Sequence, residues 1–495
     1  MLPLHPLLAL LGLAGASPAA HASPFDKADA LADCLSKSGV PTDALGTDDW
    51  KLDVAPYNLR LNFTPVGIAV PTTPKHVQDA VACAAKLGVK ANAKCGGHSY
   101  GSFGLGGEDG HLTIEMDRMN KVVLDNTTGI ATIEGGSRLG HVAWELYNQG
   151  NRAFSHGTCP GVGVGGHALH GGYGVSSHTK GLAVDWMVGA TVVLANSTIV
   201  NCSATENSDL FWALRGAGGS MGVVTQFRFN TFVVPQKLTF FVGAMQWPTQ
   251  ERALVGMQAV QDFAQSMPPE LNMRLFIAPR FINIEGLYYG DSATLTATLA
   301  PLVKKINATM QLVQEGGWLD QLKHFGNGVT IDQTHPYNFH ETFYSSSLYT
   351  NALNDTQLKS FVGYWFNVAK KNKRDWYVQI DLHGGSTSAV TELEVDATSY
   401  AHRDYLLMYL FYDRVDRNVA YPADGFATTQ NFIRNITDGM GKSAWGQYIN
   451  YPDPNMDQIT AQTNYWGTHL PKLQAVKKAV DPGDVFNYPQ GVLPA

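Results

Sequence analysis

Val89-Lys90-Ala91-Asn92-Ala93 runs into Lys94-Cys95-Gly96-Gly97-His98-Ser99-Tyr100-Gly101, a β run that opens into a glycine-rich loop. Glycine turns let backbone N–H groups approach a ligand with no Cβ in the way, as a pyrophosphate requires. The loop has no Gly-Lys-Ser/Thr, so it is not a Walker loop, and it is not a GxGxxG Rossmann turn. Taken alone, Gly-Gly-His reads as a tight structural turn. The run is preceded by a helix: Thr73 can cap it, Pro74 suits its first position and Gly88 its stop. Val77, Val81, Ala84 and Leu87 then share one face.

Further strands are expected at Leu112–Met116, Lys121–Leu124 and Ile130–Glu134, then a helix ending near Gly150. A long Gly/His loop covers His156–Gly174, followed by a strand at Thr191–Ala195 and a short helix over Asp209–Arg215. After about residue 235 the glycine-rich texture gives way to strands at Phe240–Gln246, Arg274–Ala278, Tyr377–His383 and Leu406–Phe411. Helical periods cover Gln250–Gln265 and Thr294–Ile306, which predicts an α+β domain with an antiparallel sheet. The last stretch carries Tyr448-Ile449-Asn450-Tyr451, a helix over Gln462–Ala479, and Asp481-Pro482-Gly483-Asp484-Val485-Phe486.

Composition bounds the function. The 495 residues are 44% hydrophobic and only 16% charged, which excludes disorder and permits large cores. With 35 basic against 42 acidic residues and no Lys/Arg-rich run, nucleic acid is not an expected partner. The 50 glycines cluster between Gly96 and Gly222, which suggests backbone packed against a ligand.

Residues 1–22 read as a secretory leader, because Leu7–Ala14 is too short to span a bilayer and Ala20-His21-Ala22 is a small-x-small cleavage site. No other stretch is long and apolar enough for a membrane, so a soluble extracellular protein, read as a monomer, is expected. Seven glycosylation sequons agree: Asn62, Asn126, Asn196, Asn201, Asn307, Asn354 and Asn435. The five cysteines are Cys34, Cys83, Cys95, Cys159 and Cys202; an odd count leaves at least one outside a pair, and spacing alone gives neither the pairing nor a zinc site. His167 and His170 would need a helix to share a metal, and the loop is too rich in glycine for one, so no metal is expected.

The loop around His98 resembles the one that bonds FAD through a histidine in the vanillyl-alcohol-oxidase flavoproteins. His156-Gly157-Thr158-Cys159-Pro160-Gly161-Val162-Gly163-Val164-Gly165-Gly166-His167, running on to Gly171-Gly172-Tyr173-Gly174, resembles the loop of berberine-bridge-type members whose cysteine makes a second flavin bond. Asp209–Gly219, Tyr448–Tyr451 and Asp481–Phe486 extend the match over nearly the whole mature chain. Gln379-Ile380-Asp381-Leu382-His383 and His340-Glu341-Thr342-Phe343-Tyr344 are similar to the fungal gluco- and xylo-oligosaccharide oxidases of that family.

The resemblance implies a two-domain α+β flavoprotein of the PCMH type. Residues 23–235 and 444–495 would form the FAD-binding domain and 236–443 the substrate domain, an antiparallel sheet flanked by helices. It implies covalent FAD on His98 and Cys159, with Gly96, Gly97, Ser99, Tyr100, Gly101, Gly157, Thr158, Gly163, Gly165, Gly166, Tyr173 and Val223 around it. It implies a Cys34–Cys83 disulfide. Cys95 stands where Gly is commoner, and His170 interrupts a stretch that is usually all glycine.

Residues two apart on a strand share a face, so Tyr377, Gln379 and Asp381 point one way, and Arg274 and Phe276 do likewise. Aromatic, amide and carboxylate together suit a carbohydrate cleft. Spacing alone leaves Asp381 a surface carboxylate; the resemblance makes it the helper of a base, Tyr451. It also places Tyr100, Arg274, Phe276, Glu341, Tyr377 and Gln379 around the sugar. The implied activity is oxidation of the C1 hydroxyl of a neutral reducing oligosaccharide to the lactone, with dioxygen reduced to hydrogen peroxide. Two other readings stand beside it: oxidation of a secondary metabolite on the same scaffold, and carbohydrate binding without catalysis.

Overall fold

The computed structural model describes residues 24–334 and 339–495. The leader expected at residues 1–22 lies outside them. Helix Pro74–Leu87 forms as its sequence dictates: Thr73 accepts a hydrogen bond from the N–H of His76, Pro74 sits in the first turn, and Gly88 ends the helix at φ 60°. Val77, Val81 and Ala84 are buried. A disulfide between Cys34 and Cys83 ties this helix to Pro24–Lys37. Both pack by a parallel sheet of Gly67–Ala69, Leu112–Glu115 and Ala91–Lys94, whose last strand delivers the glycine loop.

A second sheet, all antiparallel, runs in the order Val122–Asp125, Ile130–Glu134, Val223–Asn230, Met187–Val193, Ile199–Ser203. Cys202 is buried in it, its thiol donating to the Ala190 carbonyl at 3.6 Å. The third sheet is the largest. Its eight antiparallel strands run in the order Ala308–Gly316, Leu238–Met245, Ile282–Tyr288, Leu271–Ile277, Asp375–Leu382, Leu407–Val415, Thr342–Thr350, Trp445–Gly446.

The faces of this sheet separate by side-chain alternation. Trp376, Val378, Ile380 and Leu382, with Leu271, Met273, Leu275 and Ile277, pack into a core with the helices Gln250–Ala264, Ser292–Ile306, Asp355–Asn367 and Gly425–Thr437. The intervening positions, among them Tyr377, Gln379, Asp381, Arg274 and Phe276, are left for the other face. The aromatics Tyr288, Trp318, Phe343, Tyr344 and Trp376 are buried and build core.

Three local readings are corrected. The Gly/His loop contains a short helix, Val164–Ala168. The C-terminal helix is two, Gln458–Trp466 and Leu470–Val480, because Gly467 turns to φ 47° between them and Pro471 starts a new first turn. Strand Thr342–Thr350 has no sequence counterpart in the strands expected above; it is buried along its whole length. No described helix is long and apolar enough to cross a membrane.

Candidate functional site

The two glycine-rich loops meet backbone to backbone. A Cβ on Gly96 would overlap the nitrogen of Gly163, and one on Gly163 would overlap both Gly96 and the Cys95 thiol, so neither position accepts a side chain. Gly97 is glycine for a second reason, its φ of 67°. Cys95 is thereby explained: its thiol packs beside Gly163 and donates to the Ser137 carbonyl at 3.3 Å, while burial pushes its pKa up to about 11. The junction sets Cys159 Sγ 3.4 Å from His98 Nε2. The ring of Tyr57 stacks on His98 with centroids 3.8 Å apart.

The second loop is shaped by its histidines. His167 Nε2 accepts the Gly157 N–H at 2.9 Å, anchoring the residues that lead into Cys159. Burial drives the His167 pKa down to about 3, so the ring stays neutral and can accept. His170 Nδ1 contacts the Gly166 carbonyl at 2.9 Å, closing the short helix on itself.

The Tyr448–Tyr451 segment completes the wall. Tyr448 Oη accepts the N–H groups of Gly172 and Tyr173 at 3.0 and 3.2 Å and the Asn450 amide at 3.0 Å. Ser347 bonds both the N–H and the carbonyl of Tyr448, and Ser345 bonds the Pro452 carbonyl, so the polar run Ser345-Ser346-Ser347 stitches the segment to the large sheet. Tyr451 is presented at the end of this turn, with its ring 5.9 Å from Tyr100 in a stacked pair.

A cavity of about 280 Å³ results. Both glycine loops line it, with Tyr451, Tyr173, Val223 and the strand residues Arg274, Gln379 and Asp381. Of the cofactor residues expected above, Gly96, Gly97, His98, Ser99, Tyr100, Gly157, Thr158, Cys159, Gly163, Gly165, Gly166, Tyr173 and Val223 line it. Gly101 does not; a Cβ there would collide with the Phe103 ring, so it is a packing glycine. Phe276, Tyr377 and Glu341 also stand back from the lining. Tyr377 stacks on Tyr412 at 5.0 Å, and Glu341 accepts from Arg414 at 3.1 Å and from the Tyr412 hydroxyl. Lys94 lines the cavity, but its ammonium is paired with Glu115, with Asp53 at 3.7 Å.

Asp381 is 3% exposed, which overturns the surface reading that spacing alone allows. Its Oδ2 accepts from Gln379 Nε2 at 2.7 Å. Burial pushes its pKa up to about 6 against the pull of Arg274 and this hydrogen bond, and Glu285 adds to the rise. Burial, and next the Asp381 charge, hold Tyr451 well above a tyrosine's ordinary range. Arg274 Nε donates to Glu285 Oε1 at 2.6 Å. Burial pushes this guanidinium down, yet Glu285 and Asp381 outweigh it and leave its pKa raised. Glu285 is a residue that the sequence reading missed; its only signal is the alternation of Ile282-Asn283-Ile284-Glu285, which puts a carboxylate on a strand beside Arg274.

The cavity fits a flavin dinucleotide. Gly166 lines it, and a Cβ there would meet no atom within 4 Å, so the wall is bare backbone where a large planar group needs room. An imidazole and a thiol side by side supply two attachment points. A β-strand feeding such loops, closed by a C-terminal tyrosine segment, defines an FAD-linked flavoprotein. The family model described as "FAD binding domain" matches residues 65–203, and that described as "Berberine and berberine like" matches 447–493. The chain is 48% identical over 495 residues to a xylooligosaccharide oxidase of Thermothelomyces thermophilus, covering 99% of each. It is 46% identical to a chitooligosaccharide oxidase of Gibberella zeae, covering 94% of this chain and 95% of that one. A solved glucooligosaccharide oxidase from Acremonium strictum, described with a 6-S-cysteinyl, 8α-N1-histidyl FAD, superposes with a TM-score of 0.92 at 43% identity, over 94% of this chain and 99% of that one. This protein belongs to the berberine-bridge-like family of FAD-linked oxidoreductases.

Proposed function

We propose that the chain is an FAD-dependent oxidase that converts the C1 hydroxyl of a neutral reducing oligosaccharide, of cello or xylo type, to the lactone. The observation that carries this reading is the meeting of two residue sets in one cavity: His98 and Cys159 on one side, Arg274, Gln379, Asp381 and Tyr451 on the other. Three relatives named for oligosaccharide oxidation support it. His98 and Cys159 would hold the flavin covalently. Bound there, FAD would supply the acceptor for the C1 hydride, with dioxygen as the final oxidant and hydrogen peroxide as its product.

The chain's own task is the proton. As C1–H breaks, the anomeric hydroxyl must lose its proton to a group within reach. Tyr451 is protonated at neutral pH, because burial and the Asp381 charge disfavour its phenolate. It therefore takes the sugar's proton only as its own O–H proton leaves. Asp381, with a pKa of about 6, is ionised at pH 7 and is the acceptor. Tyr451 thus acts as base within a coupled pair. Gln379 keeps the carboxylate oriented through its hydrogen bond. Arg274 offers donors to the sugar oxygens, and Phe276, set back from the lining, backs it with its ring 5.0 Å from the guanidinium.

Secretion is part of the proposal, supported by the apolar N-terminal stretch and the sequons, and the chain is proposed to act as a monomer. Asn62, Asn126, Asn196, Asn201, Asn307 and Asn354 are exposed and are the proposed glycan sites. Asn435 is half-buried and engaged with Ser360 and the Asn431 carbonyl. The test of the activity is anaerobic mixing of the yellow protein with cellobiose and with xylobiose. Bleaching of the flavin absorbance is expected; a flavin that no sugar bleaches would overturn the reading.

A further inference from the structure

Strand Leu271–Ile277 lies between Ile282–Tyr288 and Asp375–Leu382, and the register sets Glu285, Arg274 and Asp381 in one row across the sheet. Side chains in such a row are close neighbours. The guanidinium therefore has a carboxylate on either side, and it does not treat them alike. Its Nε donates to Glu285 at 2.6 Å, and Nη2 pairs with the same oxygen. Asp381 instead takes its hydrogen bond from Gln379. The Arg274 and Glu285 side chains are only 14% and 19% exposed, so water screens the pair weakly. Arg274 and Asp381 line the cavity, whereas Glu285 stands behind them.

We propose that Glu285 is a positioning residue of the sugar site: it ties down the Nε edge of Arg274, leaving Nη1 out of the pair, and it keeps the guanidinium from closing on Asp381 as an ion pair. This inference rests on the oxidase reading given above. Held in this way, Arg274 meets the sugar in a fixed orientation and Asp381 keeps the capacity to take a proton. The groups facing Asp381 are Arg274 and Glu285 from the neighbouring strands, Tyr173 from the glycine loop, and Tyr448 and Tyr451 from the C-terminal segment. His324, on helix Trp318–Phe325, faces Glu285 and Arg274, and burial pushes its pKa down. The phenols and Arg274 keep their protons near neutrality, and Asp381 titrates close to pH 6.

The test is Glu285→Gln, made in the holoenzyme and read three ways: flavin absorbance per protein, the pH dependence of kcat, and KM for cellobiose. Removing the Glu285 charge takes away a force that raises the Asp381 pKa and frees Arg274 to lower it further. The acid limb of kcat should therefore move down by about one pH unit. KM should rise roughly tenfold as the guanidinium loses its fixed orientation. Flavin content should not change. Glu285→Asp, which keeps the charge at shorter reach, should hold the acid limb in place while still raising KM. If Glu285→Gln fails to load flavin, Arg274→Gln and the double variant carry the test: with Arg274 gone, adding Glu285→Gln should leave KM unchanged. An acid limb and a KM like those of the wild type, or a further rise in KM in the double variant, would overturn the proposal. A wild type that no sugar reduces would overturn the oxidase reading as well; a normally reduced wild type beside an unaltered Glu285→Gln would overturn this inference alone.

Discussion

Cys159 Sγ lies 3.4 Å from His98 Nε2, although 61 residues separate them in the chain. The approach is imposed by Gly96 and Gly163, whose backbones touch where no side chain could fit. A thiol and an imidazole so close can reach a single planar group together.

Flavin should therefore stay with the protein after acid precipitation. His98→Ala or Cys159→Ala should each leave one bond and a slower oxidase, and the double variant should release its flavin to the supernatant. Absorbance of pellet and supernatant checks this; free FAD from the wild type would refute double attachment.

Tyr451→Phe keeps the ring and its stacking on Tyr100 but removes the hydroxyl that passes the proton. Loss of a general base costs about 10²–10⁴ in rate. Flavin reduction by cellobiose in stopped flow should slow by that order, with normal flavin content. Reduction at the wild-type rate would remove Tyr451 from the mechanism.

Asp381 must be ionised to take a proton, so kcat should fall as pH drops through about 6. Asp381→Asn should abolish that limb along with most of the activity. Stability should respond in the opposite sense. The folded value of about 6 exceeds the ordinary aspartate value of 3.8, so the folded state holds this proton more tightly. The resulting stabilisation is full at pH below the unfolded value and is lost as pH rises through the folded one. Asp381→Asn should then raise Tm at pH 8 and change it little at pH 4.

Among glucose, cellobiose, xylobiose and chitobiose, kcat/KM should favour cellobiose and xylobiose. The gap between these two should be modest, because a missing hydrogen bond to one sugar hydroxyl is worth about 0.5–1.5 kcal/mol. Equal values for glucose and cellobiose, or a clear lead for chitobiose, would show that the cleft is not built for a cello- or xylo-oligosaccharide.

The parts of this molecule that were legible in its sequence are those governed by local rules. Thr73, Pro74 and Gly88 punctuate their helix because capping and positive φ are single-residue effects. The alternation of Tyr377, Gln379 and Asp381 with Trp376, Val378 and Ile380 follows from the strand period. What escaped depends on distant partners. Thr342–Thr350 carries three consecutive serines and lacks an alternating pattern; it is a strand because it pairs with the distant Leu407–Val415, and its buried serine hydroxyls find partners about a hundred positions away. Glu285 looks like an ordinary strand carboxylate until the register brings it to Arg274. His167 is read as a loop residue because five consecutive helical residues, two of them glycine, are too short a signal to see.

The hold of Tyr448 on Gly172 spans 276 residues, and its neighbour Tyr451 bears the hydroxyl proposed for proton transfer. A ribosome delivers the chain from its first residue onward, and domains fold in that order. The wall that completes the cavity is therefore among the last parts to be made. Lys477, buried with Asp481 and the carbonyls of Ser220 and Phe486, locks that late segment onto the early one. A nascent chain that has already folded its glycine loops still lacks the Tyr451 hydroxyl. Chains interrupted before residue 451 lack that hydroxyl, so the proposed oxidase site is complete only in a finished molecule.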